Sequence, residues 1–280
     1  MSLFCCPICH APLQTDGNTL RCPARHCFDI AAEGYCHLVP SSKMHAKIPG
    51  DSRDMVAARR RFLSAGFYEI FSDAINISAM QILNNNSHPV ILDAGCGEGY
   101  YTARLGGFLR SKGLSPKAAG FDISKFAVRA AAKQDKQTEY AVASSFDIPA
   151  ADHTFDFMLN VFAPIVPAEF ARVLRPGGGL LIAVPSPRHL FGLKKVLYDT
   201  PYENETIDTA YDGFTFLERI PVRGELFTED PQQIQALFMM TPYYWKTPVS
   251  GCERLKQCTA LSTEIGFDLL IYRRTADDSF

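Results

Sequence analysis

The stretch VILDAGCGEGYYT, residues 90 to 102, constrains this chain more than any other. An apolar run ends on Asp93, glycines follow at 95, 97 and 99, and a helix-like pattern starts at Tyr100. A buried strand feeding a tight glycine turn and then a helix is the opening unit of a parallel α/β sheet. The chain repeats the alternation: strands are predicted at 90–93, 118–122, 139–143, 155–161 and 178–184, and helices at 100–109, 125–133 and 168–173. Strands at 218–227 and 266–273, with a helix at 231–238, would close the sheet. Between them, 185–216 has no clean period, and its Tyr198, Tyr202, Tyr211, Phe214 and Phe216 make it too aromatic for an inert linker.

The loop chemistry narrows the ligand. A dinucleotide fingerprint wants Gly or Ala three residues after Gly97, where this chain has Tyr100, and a Walker loop needs the Gly-Lys-Ser/Thr that is absent here. Glu98 inside the loop disfavours a pyrophosphate and suits a ligand with a cationic amino group, of which S-adenosylmethionine is one. Asp93 ends the first strand, and Asp122 ends the second, where an acidic residue accepts hydrogen bonds from a ribose.

Six of the nine cysteines fall in the first 36 residues. Cys6-x2-Cys9, twelve residues, then Cys22-x3-His26 offers two pairs of soft ligands, each on a turn short enough to serve one tetrahedral ion. Three thiolates and an imidazole suit zinc, and four protein ligands leave no open position, so the site would be structural. Cys5, Cys27, His10 and His37 are surplus candidates nearby; Cys6 is preferred to Cys5 because only Cys6 gives the two-residue spacing. So short a segment has little core of its own, and a metal would supply much of its folding free energy. Residues 1–40 are therefore read as a zinc-binding module, 41–87 as a linker with two helices, and 88–280 as the main domain. The first helix is capped by Asp51 or Ser52 and runs to Leu63; the second carries the stripe Phe67, Ile70, Phe71, Ala74, Ile75 and stops at the asparagines 84–86.

The N-terminus has neither a basic n-region nor an apolar h-region, and no run of about 18 apolar residues occurs, so a cytoplasmic protein without a membrane span is expected. The formal net charge is -2. Up to Phe62, however, eight basic residues face five acidic ones, leaving -5 for the remaining 218 residues. The positive end, including Arg59, Arg60 and Arg61, is where a polyanion would be held.

At this point the chain resembles the class I S-adenosylmethionine-dependent methyltransferases, through DAGCGEGYYT, the acidic FDIS strand end and the late strand led by LRPGG. The resemblance tightens through the CPIC module, PGDSRDMVAARRRFLSAGFY at 49–68, ASSFDIP at 143–149, PSPRHL at 185–190 and TPYYW at 241–245. Together these look like the bacterial 23S ribosomal RNA (guanine-N1)-methyltransferase family, over nearly the whole chain. The resemblance implies a Rossmann-like class I domain with a mostly parallel seven-stranded sheet and an antiparallel last strand, S-adenosylmethionine and zinc as bound groups, 23S ribosomal RNA as partner, and a homodimer. It implies zinc ligands Cys6, Cys9, Cys22 and His26. It places Tyr68, Asp93, Gly95, Gly97, Glu98 and His189 at S-adenosylmethionine, with Asp122 at the ribose and Ser144 or Ser145 near the adenine.

Asn160, ending the fourth strand, stands where class I enzymes hold the acceptor, and with the backbone of Phe162 to Pro164 it would orient a guanine; Asn at a strand end is also a common turn former. Spacing singles out no general base. Other readings are a class I methyltransferase acting on a neighbouring rRNA guanine or a small molecule, and a non-catalytic zinc-ribbon RNA-binding protein.

Overall fold

The computed structural model describes residues 1–40, 42, 49–83 and 86–276. Most of the polar connector at 41–50 and two of the three asparagines expected to stop the second helix lie outside them.

The chain opens with three short strands, β1 (Gln14–Asp16), β2 (Thr19–Arg21) and β3 (Cys27–Asp29), in one antiparallel sheet, followed by β4 (Tyr35–His37). Helices α1 (Arg53–Ser64) and α2 (Glu69–Leu83) come next. The main domain then alternates: β5 (Val90–Ala94), α3 (Tyr100–Ser111), β6 (Lys117–Asp122), α4 (Lys125–Gln134), β7 (Thr138–Val142), β8 (Phe155–Val161), α5 (Pro167–Val173), β9 (Leu174–Pro185). It ends with α6 (Phe191–Leu197), β10 (Phe214–Thr228), α7 (Pro231–Met239), α8 (Tyr243–Lys246), α9 (Val249–Lys256) and β11 (Leu261–Arg274).

The large sheet has the order β10-β11-β9-β8-β5-β6-β7-β4. Its central pairs are parallel, and β11 runs antiparallel to both β9 and β10. The seven expected strands are there, and β4 from the N-terminal segment adds an eighth, pairing parallel with β7 from Tyr35↔Tyr140 to His37↔Val142. Successive strands are added on one side of β5 as β6 and β7 and on the other as β8 and β9, so the strand order reverses at β5, and the crevice outside its carboxyl end is the usual ligand position in open α/β sheets.

Each face of the sheet is covered. One apolar cluster joins Ile91, Leu159, Leu181 and Leu269 to Phe62 and Phe71 of the linker helices and Leu193 of α6. On the other face, Leu92, Phe121, Met158 and Leu180 share a core with Phe4, Leu13 and Leu20. The cysteine-rich segment is thus fastened to the domain, with Cys5 N–H donating to Pro149 O at 2.7 Å and Ser2 Oγ to Glu139 at 2.6 Å.

Several local readings shift. Ser52, not Asp51, caps α1, accepting from Met55 N–H. The buried face of α2 is Phe71, Ile75, Ala79 and Ile82, while Ile70 is half exposed, because it lies with Glu69 on the outward side of the helix's first turn. The strands closing the sheet are longer than their apolar patterns, β10 starting at Phe214 and β11 at Leu261, since β10 is an edge strand and the first residues of β11, up to Gly266, pair with β10 alone, where polar residues on an open face are tolerated. The aromatic segment after β9 is pinned by a buried cation: Lys194 Nζ donates to Tyr202 O at 2.8 Å and Asn204 Oδ1 at 2.7 Å and lies 4.2 Å from the Tyr202 ring.

Candidate active site and metal centre

Cys6, Cys9, Cys22 and His26 converge, their ligand atoms all within 4.8 Å of one another. Cys9 Sγ lies 3.7 Å from Cys22 Sγ, and His26 Nδ1 lies 3.5 Å from Cys6 Sγ and 3.4 Å from Cys22 Sγ. A zinc tetrahedron with ordinary bond lengths has S–S edges of about 3.8 Å and S–N edges of about 3.5 Å, which these three distances match, so the donor set suits that ion. The surplus candidates stand apart: the Cys5 thiol is buried towards Ala151 and Arg172, and Cys27 donates to Arg25 O.

At the carboxyl end of β5 the glycine loop has φ of +86° at Gly95, +55° at Gly97 and +84° at Gly99, a region that residues with a Cβ rarely enter. A methyl at Gly95 would collide with the Ala163 methyl, so this glycine lets the loop after β8 close over the loop after β5. Gly97 N–H donates to Asp122 Oδ2 at 3.1 Å, and the other Asp122 oxygen accepts from Ser124 N–H at 2.8 Å, which fixes this carboxylate at the end of β6. Ser144 lies two residues beyond Val142, the register partner of Asp122 on β7, so both project at one end of the sheet.

Asp93 is buried, and Thr102 Oγ donates to one of its oxygens at 2.5 Å. Burial pushes this carboxyl up to about 7 against the Thr102 bond, helped by Asp122 and Glu98. Burial also raises Glu98 and Asp122, and Arg59 opposes it at both. The second Asp93 oxygen and the Tyr68 hydroxyl are buried without a hydrogen-bond partner among the described residues. A cradle of glycines with unpartnered buried acceptors fits S-adenosylmethionine, whose ammonium and hydroxyls are donors.

Tyr68 and His189 meet on the same side of the crevice, ring centroids 6.1 Å apart, both against Phe267. Burial lowers His189 to about 3, with Lys194 adding to the effect, so the ring is neutral. Since Gly266 N–H donates to Nδ1 at 3.3 Å, the proton sits on Nε2. Asn160, fully buried, donates from Nδ2 to Ala94 O at 3.0 Å and Pro164 O at 3.4 Å, which clips the end of β8 to the end of β5.

Residues 4–47 match the family model described as RlmA, N-terminal, a zinc ribbon, and residues 85–235 match one described as a methyltransferase domain. A Bacillus subtilis protein, YxjB, provisionally named a 23S rRNA (guanine-N(1)-)-methyltransferase, is 31% identical over 277 residues, 96% of each chain. The 23S rRNA (guanine(748)-N(1))-methyltransferase of Streptomyces fradiae is 38% identical over 194 residues, 69% of this chain and 66% of its own. This chain belongs to the 23S rRNA (guanine-N1)-methyltransferase family. It is an S-adenosylmethionine-dependent methyltransferase with an N-terminal zinc ribbon.

For this methyltransferase, two features escaped sequence reasoning. Arg59, counted there among the basic residues facing outward to a polyanion, turns inward: it pairs with Asp51, and its Nη1 lies 3.7 Å from where a Gly97 methyl would stand. A three-arginine run shows no periodicity that distinguishes its members; only the start of α1 at Arg53, set by the Ser52 cap, decides which of them faces the loop. Phe162 has φ +54°, a strained value for a bulky residue, and stays half exposed while its ring packs on Phe71 and Phe267 at 5.7 and 5.3 Å. Among the described residues, no helix is long and apolar enough to cross a membrane.

Proposed function

We propose that this methyltransferase modifies N1 of a guanine in a hairpin of 23S ribosomal RNA. The observation that carries the reading is that one chain joins the Cys3His cluster to the glycine-loop crevice, and a relative of that name matches it along 96% of both chains. S-adenosylmethionine, when bound, supplies an electrophilic methyl on its sulfonium. The cofactor is held by Gly95, Gly97 and Glu98 in the loop, Asp122 at the ribose, Asp93 at the ammonium, Ser144 towards the adenine, and Tyr68 and His189 from the opposite wall. Zinc is held by Cys6, Cys9, Cys22 and His26.

Displacement at that methyl is in line, so the protein's work is to align the acceptor and exclude water. A guanine in a hairpin must be splayed out and stacked before its N1 can reach the crevice. Phe162 supports that step: an exposed ring in strained backbone, held on two further phenylalanines beside the glycine loop, is a platform prepared for a base. Asn160 keeps the platform in register by tying Pro164 to Ala94, which makes it a positioning residue. The exposed Arg25 on the ribbon and Arg60 on α1 grip the RNA backbone. The family resemblance, with half-exposed Ile70 and Ile77 one heptad apart on α2, supports a homodimer acting in the cytoplasm.

The test is methyl transfer from S-adenosylmethionine to unmodified 23S rRNA in vitro, followed by nucleoside digestion and mass analysis. The reading expects 1-methylguanosine; transfer only to a small molecule, or methyl on another guanine atom, overturns it.

A further inference from the structure

The inward turn of Arg59 places the guanidinium nearest the glycine loop inside a ring of acids. Its Nη1 pairs with Asp51 and lies over Gly97, whose N–H is bound to Asp122. Glu98 and Asp122 both face its charge. Three carboxylates, Asp51, Glu98 and Asp122, thus surround one guanidinium at the mouth of the crevice. A ligand suited to that mouth brings mostly positive charge, for the acids, and one negative group, for the guanidinium. S-adenosylmethionine has this pattern: a sulfonium, an ammonium and one carboxylate.

The side chain is also held rigidly. Val56 on the same helix packs with Ala127 and Ala130 of α4. Ser124 Oγ donates to Asp51 O at 2.7 Å, tying the residue that pairs with Arg59 to the N-terminal end of α4. Nη2 reaches Met240 O at 3.4 Å, the long end of a hydrogen bond and readily exchanged for a charged acceptor.

We propose that Arg59 is a cofactor-binding residue, its guanidinium taking the carboxylate at the methionine end of S-adenosylmethionine while Asp51 fixes its orientation. The proposal rests on the crevice being the S-adenosylmethionine site. It gives α1 a role in loading the cofactor, and it removes Arg59 from the RNA-gripping set.

The test measures binding of S-adenosylmethionine, decarboxylated S-adenosylmethionine and 5′-methylthioadenosine to the intact protein by calorimetry. Wild type should prefer S-adenosylmethionine to its decarboxylated form by on the order of 10- to 100-fold, the worth of a charged hydrogen-bonded pair. Arg59→Ala should erase that preference and leave 5′-methylthioadenosine within about threefold of wild type, the scatter of one weak contact. Arg59→Lys, which keeps the charge without the fork, should retain part of it. Should the preference survive in Arg59→Ala, or should all three ligands weaken equally, the carboxylate assignment is wrong and Arg59 only supports the fold. If wild type binds none of the three, the cofactor site itself is misplaced and the proposal falls with it.

Discussion

Replacing Asp93 by Asn isolates one buried carboxyl. The variant keeps an oxygen to accept from Thr102 and nearly the same volume, but removes a group that burial holds up to about 7. An Asp in the unfolded chain titrates near 3.9. Because the folded value is raised, the favourable contribution belongs to low pH and is lost as pH rises through the folded value. Between pH 5 and pH 7 the unfolded chain holds this carboxyl ionised and the folded chain holds it protonated, so stability falls by about 1.4 kcal/mol per pH step, roughly 3 kcal/mol in all. Glu98 and Asp122 are raised too, yet they remain in the variant, so the difference between the proteins reports Asp93. Urea melts of the cofactor-free proteins at pH 5, 6, 7 and 8 should show a pH-dependent decline smaller by about 3 kcal/mol in Asp93→Asn. Affinity for S-adenosylmethionine should rise in wild type as pH passes about 7, because the ligand ammonium favours the ionised carboxylate, and should stay weak and flat in the variant. Parallel pH profiles for the two proteins would show that Asp93 is already ionised and that the desolvation argument is mistaken.

Zinc removal tests the ribbon. Cys22→Ser should lose the metal by elemental analysis, and since Phe4, Leu13 and Leu20 share a core with Phe121 and Met158, the whole chain should melt in one lower transition rather than two. A cost of about 3 kcal/mol lowers a domain of this size by roughly 6–12 °C. Phe162→Ala should cut kcat/KM for RNA by about 10- to 100-fold, the worth of one base stack, with S-adenosylhomocysteine affinity unchanged; full activity would remove the platform. Arg25→Glu with Arg60→Glu should weaken RNA binding and flatten its dependence on salt, whereas a shift confined to cofactor binding would place the RNA elsewhere.

The parallel sheet was legible because the middle of a strand buried on both faces reads as a continuous apolar run, as at 90–92 and 157–159. The zinc ligands were legible because chelation by a short turn imposes spacing. The eighth strand was not: Tyr35-Cys36-His37 is three residues long and finds its place only through β7, more than a hundred positions away. Nor were the direction of Arg59, which depends on where α1 begins, or the backbone of Phe162, which no local pattern announces. The aromatic segment after β9 resisted because its order comes from one buried lysine and an asparagine ten residues on.

The central claim is that this crevice methylates guanine N1 in 23S rRNA. Nucleoside mass mapping of 23S rRNA from a strain with the gene deleted, and from the same strain with it restored, tests this most directly. The account predicts that one 1-methylguanosine disappears and returns, and that it does not return with Gly95→Ala, whose methyl would strike Ala163. An unchanged set of methylated nucleosides on deletion would contradict it.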